Sequence, residues 1–287
     1  MDLSLSLFRY PGGKSKKSVR QKILSYAPLF YEEVRFPFVG GGGIFWCIEA
    51  GIQRWINDLD EDLISVYKAL QERPNEFIRM CKEIEPPKKG EPLAPSKPGG
   101  KPIYNARLGR IFHELIDNPN ADQALKYFFL NRCGWNGRTN YNLPSRLYYS
   151  NPTGWNIVKK DTLEKCAALM QNVKISNTDF SDIFRSKGKD VFIYADPPYW
   201  VNTELTKTSQ LYRHNFTKKD HIRLSEEVAE CEHKILLSYD DDEDGFIRSL
   251  YEGQDKINIY EENWIYCGTS SKKKENGKEL IITNYKQ

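Results

Sequence analysis

The run Val191-Phe192-Ile193-Tyr194-Ala195 is apolar throughout and stops at Asp196-Pro197-Pro198-Tyr199-Trp200. A short apolar run bounded by prolines reads as a buried strand, and the two prolines cannot extend its ladder. Other segments repeat the pattern of a strand followed by a helix. Strands are expected at 34–39, 55–57, 173–176, 234–238, 257–260 and 280–284, and helices at 44–50, 63–71, 162–171 and 218–231. Pro37 disfavours a regular ladder at its own position. Such alternation argues for an open α/β sheet. The last two strands flank the loop 268–278 with no helix between them, which predicts an antiparallel hairpin at the edge.

The middle of the chain breaks this rhythm. Glu85 to Pro102 holds six prolines and four lysines, so no strand or helix is expected there. Tyr104 to Asn131 reads as two helices parted by Asp117-Asn118-Pro119-Asn120, followed by the turn region Asn131 to Arg138. The expected organisation is one α/β domain from 1–67 and 161–287, with an inserted, mainly helical subdomain at 68–160.

Charge excludes some classes. The 42 Lys and Arg against 39 Asp and Glu leave a formal +3, neither a polycation nor an acidic tail. The basic residues are nonetheless clustered: Arg9 to Lys22, Lys88 to Arg110, and Lys272 to Lys278. Such clusters fit either a polyanion-binding face or solvated loops. No apolar run approaches the ~18 residues of a membrane span, and Met1 to Leu7 lacks the flank of a signal peptide. Cys47, Cys81, Cys133, Cys166, Cys231 and Cys267 show no C-x-x-C spacing, so reduced thiols are expected rather than a zinc site.

Three motifs carry chemistry. Gly40 to Gly43 follows the first strand and fits either a backbone cradle for a ligand or a hinge for tight packing. The dinucleotide fingerprint and the P-loop both fail, since Phe45 and Phe8 stand where glycines are required. Asp58 ends the next strand, where it could accept ribose hydroxyls or cap the following helix. In Asp196-Pro197-Pro198-Tyr199, one carboxylate and the fixed carbonyl of Pro197 match the two hydrogens of a planar amino group. Tyr199 adds a face on which a base can stack.

These residues resemble the Dam-type DNA adenine-N6 methyltransferases. The matching pieces run in order: Phe8 to Lys14, Pro37 to Gly42, Ile56 to Asp60, Asn131-Arg132 with Asn136-Gly137, Thr178 to Phe180, Asp196 to Tyr199, Phe216-Thr217 with His221, and Glu279 to Asn284. The resemblance implies a Rossmann-like sheet, mostly parallel with an antiparallel C-terminal hairpin, and methyl transfer from S-adenosylmethionine to N6 of adenine in double-stranded DNA. It implies Asp196, Pro197, Pro198 and Tyr199 as the catalytic tetrad. Tyr10, Lys14, Phe38, Gly40, Gly42, Asp58, Asp179 and Asp196 are implied around the cofactor, although Asp179 could instead cap a helix from Ser181. Asn131, Arg132, Asn136, Gly137 and Arg138 are implied at DNA in a target-recognition subdomain. The family's setting is the cytoplasm, in a bacterial nucleoid or a phage-infected cell, with or without a restriction endonuclease counterpart. No metal and no membrane are expected. Other planar amines, such as cytosine N4, RNA adenine or a glutamine amide, pose the same geometric problem. A DNA-binding module with an inactive fold is a further reading. The sequence departs from the family at Phe36, where relatives usually carry an acid for the methionine end of the cofactor. This substitution is expected to weaken cofactor binding. The loop after Gly137 is also short, so the family's GATC target is not carried over.

Overall fold

The computed structural model describes residues 3–9, 14–95, 101, 104–134, 137, 139, 149–200, 216–240, 245–265 and 276–286. In chain order, α1 (Lys17–Leu24), β1 (Glu33–Phe36), a 3-10 turn (Phe45–Cys47), β2 (Gln53–Asn57), α2 (Glu61–Glu72), α3 (Pro74–Glu83), β3 (Leu93–Ala94) and β4 (Tyr104–Asn105) come first. They are followed by α4 (Ala106–Asp117), α5 (Gln123–Cys133), a second 3-10 segment (Pro152–Lys159), α6 (Thr162–Leu169), β5 (Val173–Ser176), α7 (Phe180–Arg185) and β6 (Val191–Ala195). The chain closes with α8 (Lys218–Glu230), β7 (Lys234–Asp240), α9 (Phe246–Tyr251), β8 (Asn258–Ile265) and β9 (Asn276–Thr283). Two compact units result, one of residues 1–4, 12–59 and 172–287, the other of 5–11 and 60–171.

The first unit is built on a seven-stranded sheet in the order β5-β2-β1-β6-β7-β9-β8. The four pairs from β5 to β7 are parallel, whereas β9 runs antiparallel between β7 and β8. This is the mostly parallel α/β sheet with an antiparallel hairpin that the sequence predicts. All five residues of β6 are buried, in keeping with a central strand covered on both faces. Val191, Ile193 and Ala195 join Ile235, Leu237, Leu280 and Ile282 in one core. Arg35 is buried in β1 and satisfied by Glu33 and by the carbonyls of Ile183, Ser186 and Lys187. One strand side chain thus ties down the end of α7.

In the second unit α2 packs on α5, α3 and α6. Its core gathers Phe8, Tyr67, Phe77, Phe128 and Trp155, with Phe8 and Tyr67 rings 5.3 Å apart and Phe129 and Trp155 rings 4.6 Å apart. Asn131 is fully buried and holds the N-terminal segment here: it accepts from Arg9 N–H at 2.9 Å and donates to Arg9 O at 2.8 Å and Gly137 O at 3.0 Å. Gly137 has φ of 71°, and an added Cβ would lie 2.1 Å from Arg9 O. Gly137→Ala is therefore expected to destabilise the protein by about 1–3 kcal/mol from the backbone alone, with the collision adding to it. Denaturant unfolding checks this, and an unchanged midpoint would refute it.

Two local expectations fail. Residues 44–50 form a single 3-10 turn rather than a helix. Ile44, Phe45, Trp46 and Ile48 are β-branched or aromatic and poor helix formers. Trp46 Nε1 also donates to Gly41 O at 3.1 Å, and Ile48 is already extended at ψ 137°. Within the proline-rich segment, Leu93–Ala94 does pair with Tyr104–Asn105 as a short antiparallel ladder. Only two residues are needed, and Pro92 and Pro95 flank rather than interrupt them.

Candidate active site

The sheet changes direction at β1 and β6: from β1 the chain continues to β2 on one side, and from β6 to β7 on the other. In open α/β sheets the crevice outside the carboxyl ends at such a point is where ligands bind. Both principal motifs lie there.

Beyond β1, Gly42 N–H bonds Val39 O at 2.8 Å and closes a turn in which Gly40 and Gly42 are left-handed, with φ of 47° and 71°. Asn57 supports the turn by donating to Pro37 O and Thr178 O at 3.0 and 2.9 Å. Asp58 Oδ2 accepts from Gly40 N–H at 2.9 Å. The helix cap is instead Asp60, which accepts from the amides of Asp62 and Leu63. A Cβ added at Gly43 would lie 3.2 Å from Lys14 Cβ, so the turn abuts the Lys14 segment.

Beyond β6, Asp196 is fixed through one oxygen. Its Oδ1 lies 3.1 Å from Lys14 Nζ and accepts from Ser238 Oγ at 3.2 Å. Ser238 has spent its proton, so Tyr194 OH donates to Ser238 Oγ at 2.9 Å. Among the described residues no hydrogen bond is made to Asp196 Oδ2 or to Pro197 O, the two acceptors the sequence singles out. The Asp196 side chain keeps 25% of its exposure, whereas that of Lys14 keeps 5%.

Lys14 is also held by Glu279 of β9, whose oxygens lie 3.2 and 3.3 Å from Nζ. It donates to Tyr199 OH and sits 4.7 Å from the Tyr199 ring centroid. Tyr199 OH in turn donates to Glu279 Oε1 at 2.7 Å. Burial alone would lower the Lys14 ammonium, but the charges of Asp196 and Glu279 outweigh it and raise it above its ordinary value. Lys14 thus joins Asp196 and Tyr199, the two ends of the tetrad, in one cluster. Glu279, quoted above only within a matching segment, is its missed member. The signal available was an acid opening the apolar run Leu280-Ile281-Ile282.

Phe38, Phe180 and Phe216 form an aromatic wall, with centroids 5.3, 5.6 and 5.8 Å apart. Asp179 caps α7 through Ser181 N–H at 3.0 Å and is gripped by Arg223 at 2.6 and 2.9 Å. Burial would raise Asp179, but the bonds from Arg223 and Ser181 hold its carboxyl at about 2. Phe36 is buried, its ring 5.7 Å from Phe45 and 6.1 Å from Tyr194. In the second unit Arg132 donates to Gly154 O at 3.1 Å and to Leu7 O at 3.2 Å. Asn131 and Gly137 are joined as described above. Tyr10, Asn136 and Arg138 lie outside the described residues.

His221 is fully buried against Trp200, Phe216 and Phe246, and its Nδ1 lies 3.0 Å from Tyr239 OH. Burial lowers it from 6.5 to about 4. The unfolded chain binds the proton first, so stability is full above pH 6.5 and declines as pH falls towards 4. The loss is about 3 kcal/mol at 1.36 kcal/mol per unit. His221→Asn is expected to flatten that part of the stability–pH curve. An unchanged slope between pH 6.5 and 4 would contradict this.

Among the described residues no helix is long and apolar enough to cross a membrane, and no three His, Cys, Asp or Glu gather as a metal site. The described cysteines are free thiols, with Cys267 outside them.

Comparison with known proteins bears on the same motifs. The chain is 27% identical over 264 residues to a type II methyltransferase, M.MjaIII, of Methanocaldococcus jannaschii, covering 87% of each chain. It is 23% identical over 288 residues to the type II methyltransferase M1.LlaDCHI of Lactococcus lactis, covering 96% of this chain and 94% of the other. The DNA adenine methylase of Haemophilus influenzae is 25% identical over 223 residues, 76% of this chain and 73% of that one. The profile of one family matches residues 10–267, spanning the glycine turn, the 60–171 part of the second unit and the Asp196 tetrad, and the chain belongs to that family, the D12 class N6 adenine-specific DNA methyltransferases.

Proposed function

We propose that this protein methylates adenine N6 within double-stranded DNA, uses S-adenosylmethionine as donor, and performs the transfer at Asp196, Pro197, Pro198 and Tyr199. The observation that carries this reading is the pair of acceptors at the end of β6, Asp196 Oδ2 and Pro197 O, to which no described residue donates, with Asp196 Oδ1 fixed by Lys14 and Ser238. The lone pair of an aromatic amine is delocalised into its ring. Accepting one N–H at Asp196 Oδ2 and the other at Pro197 O favours a pyramidal nitrogen and aims its lone pair. This is positioning combined with electrostatic stabilisation of developing positive charge. A carboxylate is far too weak a base to deprotonate a neutral aromatic amine first, so the proton leaves with or after methyl transfer. A base inside a duplex must flip out to reach these groups, and the Tyr199 ring offers it a face.

The residues present fit the donor. The left-handed glycine turn brings backbone close to the crevice, Asp58 stands beside it for ribose hydroxyls, and Phe38, Phe180 and Phe216 offer an apolar wall. Asp179 would meet the cofactor adenine as a carboxylate already ordered by Arg223. Phe36 is a core residue, so its contribution would be to support the turn rather than to contact the donor. S-adenosylmethionine, when bound, supplies an electrophilic methyl group that leaves behind a neutral thioether.

The second unit is the proposed target-recognition region. Asn131 and Arg132 brace the backbone there, and Arg138 is the cation proposed to read a base. Two relatives named type II methyltransferases favour a restriction endonuclease counterpart, and a DNA-acting enzyme of this kind works in the cytoplasm. Expression in methylation-deficient cells, followed by genome sequencing for modified adenine, tests the reading and yields the recognised site. Unmodified DNA from cells holding soluble, folded protein would overturn it.

A further inference from the structure

We propose that Glu279 is a positioning residue of the methyl-transfer site: its one carboxylate on β9 holds the Lys14 ammonium and the Tyr199 hydroxyl together, and through them fixes both the acceptor and the stacking ring of the tetrad. The inference rests on the reading of Asp196 to Tyr199 given above.

Glu279 has no measurable exposure. A buried carboxylate is costly unless paired and hydrogen-bonded, and both its oxygens lie within 3.3 Å of Lys14 Nζ while Oε1 also accepts from Tyr199. Neutralising Lys14 does not require it, because Asp196 alone would do so. Among the described residues, two carboxylates on one ammonium leave the cluster one negative charge in excess. That excess lies beside the acceptors of an amine that becomes positive as it is methylated, where preorganised opposite charge is most effective. Lys14 and Tyr199 hold the acid against its strand neighbours, since in the register Glu279 stands beside two further acids, Asp240 on β7 and Glu262 on β8. Glu262 is engaged by Lys22 and Tyr26. Among the described residues the titratable groups on Lys14 are Asp196, Glu279 and Tyr199, with Tyr194 behind Asp196.

The test compares Glu279→Gln and Glu279→Asp in the full chain, by single-turnover methyl transfer to duplex DNA across pH. Glu279→Gln is expected to lower turnover on the order of 100-fold, the scale of one lost preorganised group, while KM for DNA moves less than threefold. Lys14 would keep its burial but lose one of two charges that raise it. Its ammonium would therefore titrate lower, and the alkaline fall in rate would begin at a lower pH than in wild type. Glu279→Asp keeps the charge and is expected to retain the wild-type pH profile. A Glu279→Gln turnover within threefold of wild type overturns the proposal. So does equal impairment of both variants with an unshifted profile, which marks a purely structural role. If Glu279→Gln does not fold, Tyr199→Phe decides: it keeps the ring and removes only the hydroxyl, and turnover is expected to fall about tenfold, whereas wild-type turnover overturns the proposal. Asp196→Ala is assayed alongside. An active Asp196→Ala sinks the underlying reading, whereas an inactive one beside a fully active Glu279→Gln sinks only the role of Glu279.

Discussion

Asp196→Ala is expected to lower methyl transfer by about 10³-fold with the fold intact, the upper range for loss of one preorganised electrostatic group. The fold should survive because Lys14 keeps a second carboxylate: Glu279 stays 3.2 Å away when Asp196 is removed. Asp196 also lies past the end of β6, outside the sheet core. Asp196→Asn sharpens the result. It keeps the shape and the bond from Ser238 but cancels the excess negative charge, so it should be nearly as inactive. Labelled-methyl transfer to duplex DNA under saturating conditions measures both. Activity above a few per cent of wild type in Asp196→Ala would refute the mechanism.

Lys14→Met is expected to cost both stability and activity. It strands Asp196 and Glu279 together without their ammonium, one of them fully buried. Breaking a buried ion pair by removing one partner costs about 3–5 kcal/mol. Adding Glu279→Gln to that variant removes the stranded buried charge, and should restore much of the stability without restoring transfer. Denaturant unfolding of the single and double variants reads the difference. A single variant within about 1 kcal/mol of wild type would show that Lys14 does not hold this cluster together. The Lys14 experiment also separates two roles, since a residue serving only the cofactor's methionine end would leave the unliganded protein's stability unchanged.

Much of the sheet is legible because its strands are short apolar runs closed by strong stop signals. Residues 173–176 and 191–195 match their strands residue for residue. The hairpin was legible from the missing helix between the last two apolar runs. The helix expected at 44–50 did not form because its β-branched and aromatic residues are poor helix formers and Trp46 bonds back to Gly41 only five residues before it. The tetrad could be read because prolines leave few backbone choices. Glu279 could not, because its role arises only when β9 inserts beside β7 and meets a lysine far away in sequence. Arg132 and Asp179 offer the converse lesson: charged residues within recognisable motifs can be committed to carbonyls, caps and ion pairs.

The Lys14–Glu279 contact joins residues 265 positions apart. Contacts this remote are late events in folding, since the intervening loop must first be closed at an entropic cost. β9 must also enter between β7 and β8, so the hairpin has to form and dock before the acid reaches the lysine. During synthesis, when domains assemble from the N-terminal side, a ribosome-bound chain would carry the glycine turn and the tetrad well before their counter-charge emerged. Competence for methyl transfer is then acquired only once β9 has been made and docked, and chains that lack it hold Lys14 against Asp196 alone.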